Sequence, residues 1–564
     1  MIKRFLLYQK DVLDTITSKP VMMSLFMLIL FLALNSLKIA LFNFYIIPTQ
    51  TLETFKYKFI MAILIGLLTY SVVLSIRSRI VFIALYLMQI LYIIANISYF
   101  LFYHSYLDVT RFILLFNEGF DAVKNSSAPM SFRMLTAFID LPVFLYIAIN
   151  YKKIRNIRKR LILYRTIAIL ASIIFIISIQ FSNNAHNNFI ATILQDRYRG
   201  ESPIVQWYGT LINNFVSITR IGDENNIIGS FKYGKTIEVD KDSTDNPNFI
   251  VIQVESMDSN VINKKYKNQY ITPYLKSLSE KNVYYPYVMS YHKGGGTSDS
   301  EFSIINSIEP LEDYPAMKLS NYDYSNSFLK SLAKESYTNI AFHGNSDVFF
   351  GRDTAFPEMG FQKFYDIDKM GLKQVGWGAP DKKVFNFAAK TINNLPAPYL
   401  AYIITMTSHT PFTNAQNYYN KSAYDDIKNQ TVKNYFNSMS YVDECIKNFI
   451  DDIRAQDSNT YFFIWGDHAP NITTDLYSQS SFSEGDKFFE FVPLIIITPD
   501  YKKYKETKEV ASFLDIAPTI LDNSGLSFKI KSDGKNLLDM DSIGKEIPFK
   551  GRKFDREYLF SILN

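Results

Sequence analysis

Five long apolar stretches fall within the first third of the 564-residue chain. Each is close to the roughly 20 residues that an α-helix needs to cross the hydrocarbon core of a bilayer. Within them, only Lys38 and Asp140 carry a charge. A buried helical core in a soluble protein is the alternative, but the basic segments between the stretches argue against it. The pattern predicts a five-helix transmembrane bundle with spans at Val21–Ile47, Phe59–Ile76, Ile80–Leu107, Met134–Asn150 and Thr166–Phe181.

Basic side chains between the stretches predict the orientation of the bundle, because lysine and arginine concentrate in cytoplasmic segments. They occur at the N-terminus, after the second stretch (Arg77 and Arg79), and most densely between the fourth and fifth, from Lys152 to Arg160. Five spans put these three segments on one side of the membrane. We therefore expect a multi-pass protein of the cell membrane with a cytoplasmic N-terminus and an extracytoplasmic C-terminal part.

Asp140 lies inside the fourth stretch, beside Pro142. A carboxylate within a membrane is costly, so it either serves a function or bonds to a neighbouring helix. The sequence leaves both roles open, and a bond to a neighbouring helix is the simpler one.

From residue 248 the pattern changes to short apolar runs separated by helical periodicities. Such runs are typical of a mostly parallel sheet covered by helices on both faces. The predicted strands are Phe249–Val254, Val283–Ser290, Thr338–Phe342, Tyr399–Met406, Thr460–Trp465 and Val492–Thr498. The predicted helices begin at Thr272-Pro273 or cover Asn326–Glu335, Asp381–Asn394, Thr431–Ile453 and Ala511–Asp522. The chain is therefore expected to contain a five-span transmembrane domain (1–182), an interfacial helical linker (183–247) and an extracellular α/β domain (248–564).

The amino-acid composition excludes several classes of protein. The 59 basic and 54 acidic residues give a net charge of +5, too small for the electrostatic footprint of a nucleic-acid-binding protein. The single cysteine, Cys445, excludes an intramolecular disulfide framework and a CxxC metal site. A mean hydropathy of −0.01 is what a lipid-embedded part and a water-exposed part give together.

Side chains that carry chemistry follow the ends of the predicted strands. In parallel sheets the carboxyl ends of the strands share one edge, where ligands bind. We therefore expect these side chains to lie close together. They are Glu255, the glycine turn Gly294–Gly296 with Thr297, His343, His409, Asp467 and His468.

Glu255, Asp467 and His468 offer two carboxylates and an imidazole, a donor set that suits Mn²⁺, Mg²⁺ or Zn²⁺. Thr297 follows three glycines and opens a predicted helix, whose positive N-terminal end suits a phosphoryl group. Coordination to the metal would lower the pKa of the Thr297 hydroxyl and make it a nucleophile. An ordinary glycine turn with an N-cap threonine is the alternative.

Three further side chains could contact a substrate. The planar guanidinium of Arg352 can clamp an anionic oxygen, or it could form a surface ion pair with Asp353. His343 and His409 could donate a proton to a leaving alkoxide or bind substrate oxygens. The sequence does not divide these roles between the two histidines.

At this point the motifs resemble those of the lipoteichoic acid synthase group, in the sulfatase-like part of the alkaline phosphatase superfamily. The resemblance covers the whole chain, because that group also has five spans followed by an extracellular catalytic domain. The motifs that carry it are Val254-Glu255-Ser256, Gly296-Thr297-Ser298-Asp299-Ser300-Glu301-Phe302, Gly351-Arg352-Asp353, Ser408-His409-Thr410-Pro411-Phe412, Trp465-Gly466-Asp467-His468 and the later Asp515-Ile516-Ala517-Pro518.

The resemblance implies an extracellular sulfatase-like domain with Thr297 as the catalytic nucleophile. It implies a divalent metal, typically manganese, with Mg²⁺ or Zn²⁺ as alternatives. The implied metal ligands are Glu255, Thr297, Asp467 and His468, and the implied substrate contacts are Arg352, His409, His343 and Phe350. Phe350 stands where the family often has tryptophan.

The activity implied is transfer of glycerol phosphate from phosphatidylglycerol through a covalent threonine intermediate. The acceptor could be a polyglycerolphosphate chain of lipoteichoic acid, a glycolipid or a glycan. A phosphoethanolamine transferase with the same chemistry and a non-catalytic membrane sensor remain as alternatives. A sulfatase is set aside, because the nucleophile position is Thr297 and Cys445 is not in a C-x-P-x-R context.

Overall fold

The computed structural model describes part of the chain, and its described residues fall into two compact units. The N-terminal unit holds those up to residue 112 and from 131 to 218, and the C-terminal unit those at 113, 114 and 116 and from 224 on. The described residues are 19–46, 52–73, 78–103, 106–107, 109–114, 116, 131–152, 154, 169–170, 173, 205, 208–218, 224–241, 246–292, 295–311, 314–484, 487–501, 508–539, 544–549 and 551–563.

The N-terminal unit is helical. Among the described residues, three helical stretches are long and apolar enough to cross a membrane: Met22–Ile46, Arg79–Leu101 and Phe132–Ile149. These overlap the first, third and fourth predicted spans. The second predicted span, Phe59–Ile76, and the fifth, Thr166–Phe181, extend over residues outside the described part of the chain, so the count of five remains a prediction. The helices are α1 (Lys19–Ile46), α2 (Leu52–Val73), α3 (Arg79–Tyr103), α4 (Val109–Leu114), the 3₁₀ turn Phe132–Phe138, α5 (Leu141–Ile149) and α6 (Thr210–Ile218).

Asp140 joins three helical segments through a fully buried polar network. Its carboxylate lies 2.8 Å from Lys38 Nζ of α1. It also accepts hydrogen bonds from Asn35 Nδ2 of α1 (2.6 Å) and from Tyr86 OH of α3 (2.8 Å). Of the two roles that the sequence left open, bonding to neighbouring helices is the one the structure shows.

Helix α6 falls within the predicted linker and is anchored on the first span. Thr210, at its start, donates from its backbone N (3.0 Å) and its Oγ1 (3.2 Å) to Asn43 Oδ1 of α1. The outer limits of the linker remain a prediction.

The C-terminal unit is an α/β domain built on a mixed nine-stranded sheet, counted over the described residues. The main path runs β12-β5-β11-β9-β2-β8-β6-β7, and β10 pairs with β11. Its strands are β2 (Asn248–Val254), β5 (Val283–Met289), β6 (Thr338–His343), β7 (Lys363–Tyr365), β8 (Tyr399–Ile404), β9 (Thr460–Gly466), β10 (Ser481–Glu484), β11 (Lys487–Ile497) and β12 (Ala511–Ser512). Two-stranded sheets add β1 (Lys235–Val239), β3 (Lys265–Tyr266), β4 (Gln269–Tyr270), β13 (Phe528–Ser532), β14 (Glu546–Phe549) and β15 (Arg552–Asp555).

The sheet is mostly parallel, as predicted, but it is mixed because one strand runs in the opposite direction. The central strands β9, β2, β8, β6 and β7 are parallel, as predicted. Strand β11, however, is antiparallel to both of its main-path neighbours, β5 and β9. A buried apolar run has the same sequence pattern in either direction, so the pattern could not distinguish them.

Helices cover both faces of the sheet. Alternate residues of β2 point to opposite faces, as the two-residue period of a strand requires. Phe249 and Val251 belong to one hydrophobic core, and Ile250 and Ile252 to the other. The first core is covered by α10 (Thr297–Asn306), α11 (Phe328–Lys334), α15 (Ile516–Asn523) and α16 (Arg556–Leu563), and the second by α8 (Ser259–Asn263), α9 (Pro273–Lys281), α13 (Asp381–Ile392) and α14 (Gln430–Gln456). Helices α7 (Glu224–Ile228) and α12 (Arg352–Met359) complete the unit.

Candidate active site

Glu255, Asp467 and His468 meet at the carboxyl edge of the sheet. Strands β2 and β9 are parallel neighbours in register, so the residues that follow them come together. One ligand atom from each of the three side chains lies within 4.8 Å of the others, and all three residues are buried. His468 Nε2 is 3.1 Å from Glu255 Oε1 and 3.7 Å from Asp467 Oδ1. The structure thus forms the predicted carboxylate–imidazole cluster.

The electrostatics of this cluster are those of a cation site. Burial, with the charge of Glu255 as the next cause, raises the pKa of Asp467 well above its usual range. Burial alone would lower the pKa of His468, but the charges of Asp467 and Glu255 raise it to about 10. Two buried carboxylates thus share one imidazole, and the raised pKa values of Asp467 and His468 mean that a divalent cation binding here would displace protons.

The side chains present fit a divalent metal. The only role a backbone carbonyl can play is acceptor, so His468 Nδ1 donates to Ala469 O at 2.9 Å. This bond leaves Nε2, the atom that faces Glu255, available as a ligand, in the arrangement common for metal-binding histidines. Carboxylate oxygens and an imidazole nitrogen suit Mn²⁺ and Zn²⁺, and the carboxylates suit Mg²⁺.

Ser256 orders both carboxylates, and sequence reasoning gave it no role of its own. Its backbone N donates to Asp467 Oδ1 (2.8 Å), and its Oγ donates to Glu255 Oε1 (3.0 Å). Its φ of +55° is unusual for a residue other than glycine. Tyr435 OH donates to the Ser256 carbonyl at 3.0 Å and helps to hold this conformation.

Thr297 is the first residue of helix α10. The turn before it needs glycine at two positions: Gly296 has φ +58°, and a Cβ at Gly295 would lie 2.3 Å from Asp299 Oδ1. One turn into the helix, Ser300 Oγ donates to the backbone oxygen of Asp467 at 3.0 Å. Residues 298–306 are all buried, whereas Thr297 is partly exposed. The start of the helix is therefore tied to Asp467, and its first residue is partly exposed; the nucleophilic role of Thr297 remains a prediction.

Arg352 is buried, and its ion-pair partner is Glu301 of helix α10. Its Nε and Nη2 donate to the two carboxylate oxygens at 2.9 and 2.6 Å. The suggested surface pair with Asp353 is wrong, because Arg352 is 1% exposed. The guanidinium carbon lies 5.7 Å from the ring centre of Phe350, which is also buried. Substrate contacts by Arg352 and Phe350 remain predictions.

His343 and His409 differ in their surroundings. Burial, followed by the charge of Arg352, lowers the pKa of His343 to about 3, so this side chain is neutral at physiological pH. Burial also lowers the pKa of His409, although the charge of Glu255 acts in the opposite direction. His409 Nδ1 donates to Thr410 O at 2.8 Å. A neutral His343 suits a binding role better than proton donation.

His292 is a site residue that sequence reasoning missed. Its ring stacks on that of His468, with centroids 4.2 Å apart and planes 13° from parallel. Its Nδ1 lies 3.4 Å from Glu490 Oε2. The available signal was its position just after strand β5, where other site residues follow other strands.

Residues 247–526 match the family model described as Sulfatase. This segment is a sulfatase-family domain. The match spans the sheet and every site residue discussed above. It confirms the superfamily to which the motifs pointed.

Named relatives of the sulfatase-family domain are lipoteichoic acid synthases. The chain is 25% identical over 329 residues to the lipoteichoic acid synthase-like protein YvgJ of Bacillus subtilis, a match that covers 56% of this chain and 53% of the relative. It is 26% identical over 501 residues to the lipoteichoic acid synthase of Staphylococcus aureus, covering 82% of this chain and 75% of that one. The matched part thus spans about half the length of the Bacillus protein.

A solved structure shares the fold. The crystal structure of the lipoteichoic acid synthase LtaP from Listeria monocytogenes aligns with a TM-score of 0.50 and 24% identity, covering 60% of this chain and 84% of that chain. The structural likeness shows a shared fold, and the resemblance seen in the sequence motifs is confirmed by the sequence matches.

Proposed function

We propose that this protein is a membrane-bound phosphoglycerol transferase that moves glycerol phosphate from phosphatidylglycerol to a teichoic-acid-type or glycan acceptor. The observation that carries the proposal is the buried Glu255–Asp467–His468 cluster, tied through Ser300 to the helix that Thr297 opens. The names of the relatives support this headgroup, and the apolar N-terminal helices support a lipid donor. A catalytic domain on the same chain as membrane spans meets a lipid at high effective concentration.

Glu255, Asp467 and His468, with Thr297, would hold the divalent metal, for which manganese is our first choice. When bound, it would lower the pKa of the Thr297 hydroxyl and offset the negative charge that develops on the phosphoryl group. The rest of the chemistry falls to side chains of the domain.

Thr297 attacks the phosphorus of the lipid in the first step. A bond forms between its Oγ and phosphorus, and the bond between phosphorus and the diacylglycerol oxygen breaks. The diacylglycerol oxygen takes up the proton that the threonine loses, with His409 Nε2 as the carrier. The product is glycerophospho-threonine, and diacylglycerol stays in the membrane.

An acceptor hydroxyl reverses this sequence in the second step. Its oxygen bonds to phosphorus, the bond to Thr297 Oγ breaks, and the acceptor proton returns to the threonine. His409 suits both transfers because its Nδ1–H is held by Thr410 O, which leaves Nε2 to accept and release a proton. His343 and Arg352 would orient the headgroup.

The test uses full-length protein in vesicles that contain labelled phosphatidylglycerol and phosphatidylethanolamine, with Mn²⁺ added. We expect diacylglycerol release from phosphatidylglycerol, and a glycerophosphoryl adduct on Thr297 by mass spectrometry. Release from phosphatidylethanolamine alone would identify a phosphoethanolamine transferase instead. If Thr297→Ala and the unsubstituted protein behave identically, the protein is not an enzyme of this kind.

A further inference from the structure

A tight glycine turn presents Trp377 beside the site. Val375 and Gly378 form an antiparallel bridge, so Gly376 and Trp377 make a two-residue loop. Gly376 has φ +65°, and a Cβ there would lie 2.0 Å from Asn414 Oδ1. A Cβ at Gly378 would lie 2.6 Å from a backbone oxygen. Neither position accepts a side chain without displacing its neighbours, so the turn fixes where Trp377 stands.

The indole ring of Trp377 packs against His409. The two ring centres are 4.1 Å apart. His409 follows Ser408, whose Oγ donates to the backbone oxygen of Glu255 at 2.6 Å. Trp377 is thus separated from the metal-ligand cluster by one histidine, the one that the proposed mechanism uses as proton carrier.

The indole N–H of Trp377 has no hydrogen-bond partner among the described residues, although the side chain is only 3% exposed. Buried donors normally have a partner, and leaving one without a partner is destabilising. The N–H of Trp465 is also without a partner in the described part of the chain, but that ring packs in the core, 4.9 Å from Phe513. Of these two tryptophans in the described part of the chain, Trp377 is the one whose ring contacts His409.

We propose that the indole N–H of Trp377 donates a hydrogen bond to a hydroxyl oxygen of the glycerol headgroup, and that Trp377 thereby determines headgroup choice. This inference rests on the proposed function. An indole N–H is a donor only. It can bond to a glycerol hydroxyl, whereas the ammonium group of ethanolamine offers it no acceptor. Trp377 therefore favours glycerol phosphate over phosphoethanolamine.

The test compares Trp377→Phe with the unsubstituted full-length protein in Mn²⁺. Phenylalanine keeps an aromatic ring against His409 and removes the N–H. We expect calorimetry to show glycerol phosphate bound about three- to tenfold more weakly, the value of one neutral hydrogen bond. Affinity for phosphoethanolamine and for Mn²⁺ should not change. With phosphatidylglycerol vesicles, KM should rise by a similar factor while kcat changes less.

Trp465→Phe is the matched control, because it removes the other unpartnered indole N–H without touching His409. We expect it to leave the affinity for both ligands unchanged. If the phenyl ring fails to fill the space at position 377, benzothienylalanine keeps the size of the indole and removes only its N–H.

Three results would overturn the proposal. The first is that Trp377→Phe and the unsubstituted protein bind glycerol phosphate with equal affinity. The second is that glycerol phosphate and phosphoethanolamine both bind more weakly by the same factor, which would assign the hydrogen bond to a phosphoryl oxygen. The third is that Trp377→Phe no longer binds Mn²⁺, which would make Trp377 a structural residue. An unsubstituted protein that binds neither ligand and releases no diacylglycerol would overturn the proposed function itself. Failure of the Trp377 inference alone leaves glycerol phosphate binding and turnover intact.

Discussion

The two units of this protein each bury charged side chains, and they do so in opposite ways. In the helical unit, one carboxylate, Asp140, faces one ammonium group, Lys38, and hydrogen bonds from Asn35 and Tyr86 complete its shell. In the sulfatase-family domain, two carboxylates, Glu255 and Asp467, share a single imidazole. The first arrangement pairs its two charges directly; the second holds its two carboxylates together by means of protons, which a divalent cation can replace. A buried charge thus indicates a ligand site only when its own neighbours leave it incompletely compensated.

The largest effect should follow a substitution in the Glu255–Asp467–His468 cluster. Asp467→Asn keeps an oxygen that can accept from Ser256 N but removes one negative charge. We expect Mn²⁺ affinity to fall by more than about 100-fold, beyond the usual effect of changes around metal ligands, and turnover to be lost. The metal-free protein should be no less stable, because one of two repelling carboxylates is gone.

Calorimetric Mn²⁺ titration and metal-free thermal unfolding measure these two effects. Gln253→Ala, which changes a neighbour rather than a ligand of the metal, is the control for general disturbance near Asp467. Retained Mn²⁺ affinity in Asp467→Asn would show that the cluster is not the metal site.

The Lys38–Asp140 network should respond in the opposite way, because removing one of its charges should lower the stability of the protein. Lys38→Met leaves Asp140 buried and uncompensated, which costs about 3–5 kcal/mol of folding free energy in comparable pairs. The double variant Lys38→Met with Asp140→Leu should recover most of that loss, because no isolated charge remains. Thermal unfolding in detergent measures both. Equal stability of Lys38→Met and the unsubstituted protein would contradict a structural role for the pair.

A pH series sharpens the comparison. The pKa of His468 is raised to about 10 in the metal-free fold, above the value of roughly 6.5 expected in the unfolded chain. The stability that protonated His468 contributes is therefore fully present below pH 6.5 and is lost as the pH rises towards 10.

Metal binding must displace the same proton, so Mn²⁺ affinity should increase over this pH range, with release of at least one proton per ion. Unfolding of the metal-free protein and calorimetry in buffers of different ionisation heat test this. A pH-independent Mn²⁺ affinity would show that His468 is not a ligand.

The smallest effect is expected at His292, whose ring stacks on that of His468. His292→Ala removes the stack on His468 and should weaken Mn²⁺ binding about three- to tenfold, the range for an aromatic pair. His292→Phe should preserve the affinity if stacking is what matters. If both variants weaken Mn²⁺ binding equally, the contact of His292 with Glu490 is the important one.

The sequence predicted the strands that have an apolar pattern and the site residues that carry reactive side chains. Apolar runs located the central strands, and polar residues at their ends located Glu255, Asp467 and His468. It could not predict the direction of β11, since parallel and antiparallel buried strands have the same pattern. It also missed the Arg352–Glu301 pair, whose partners lie 51 residues apart and meet only through the fold.

Trp377 and His292 escaped prediction for a related reason. Tryptophan between two glycines usually indicates a turn, and a lone histidine usually a buried side chain. Their significance comes from what they contact, His409 and His468, and such contacts are set by three-dimensional packing.

The backbone oxygen of Asp467 anchors the loop that leads into helix α10. The carbonyl of Asp467 accepts hydrogen bonds from two hydroxyls, Ser290 Oγ at the end of β5 and Ser300 Oγ in α10. Ser290 and Ser300 lie at the two ends of the loop between β5 and α10, and both are bonded to this one oxygen atom. The segment that carries His292 and Thr297 is therefore pinned at both ends to the residue that follows strand β9, so a change of sequence in the middle of the loop need not displace either end.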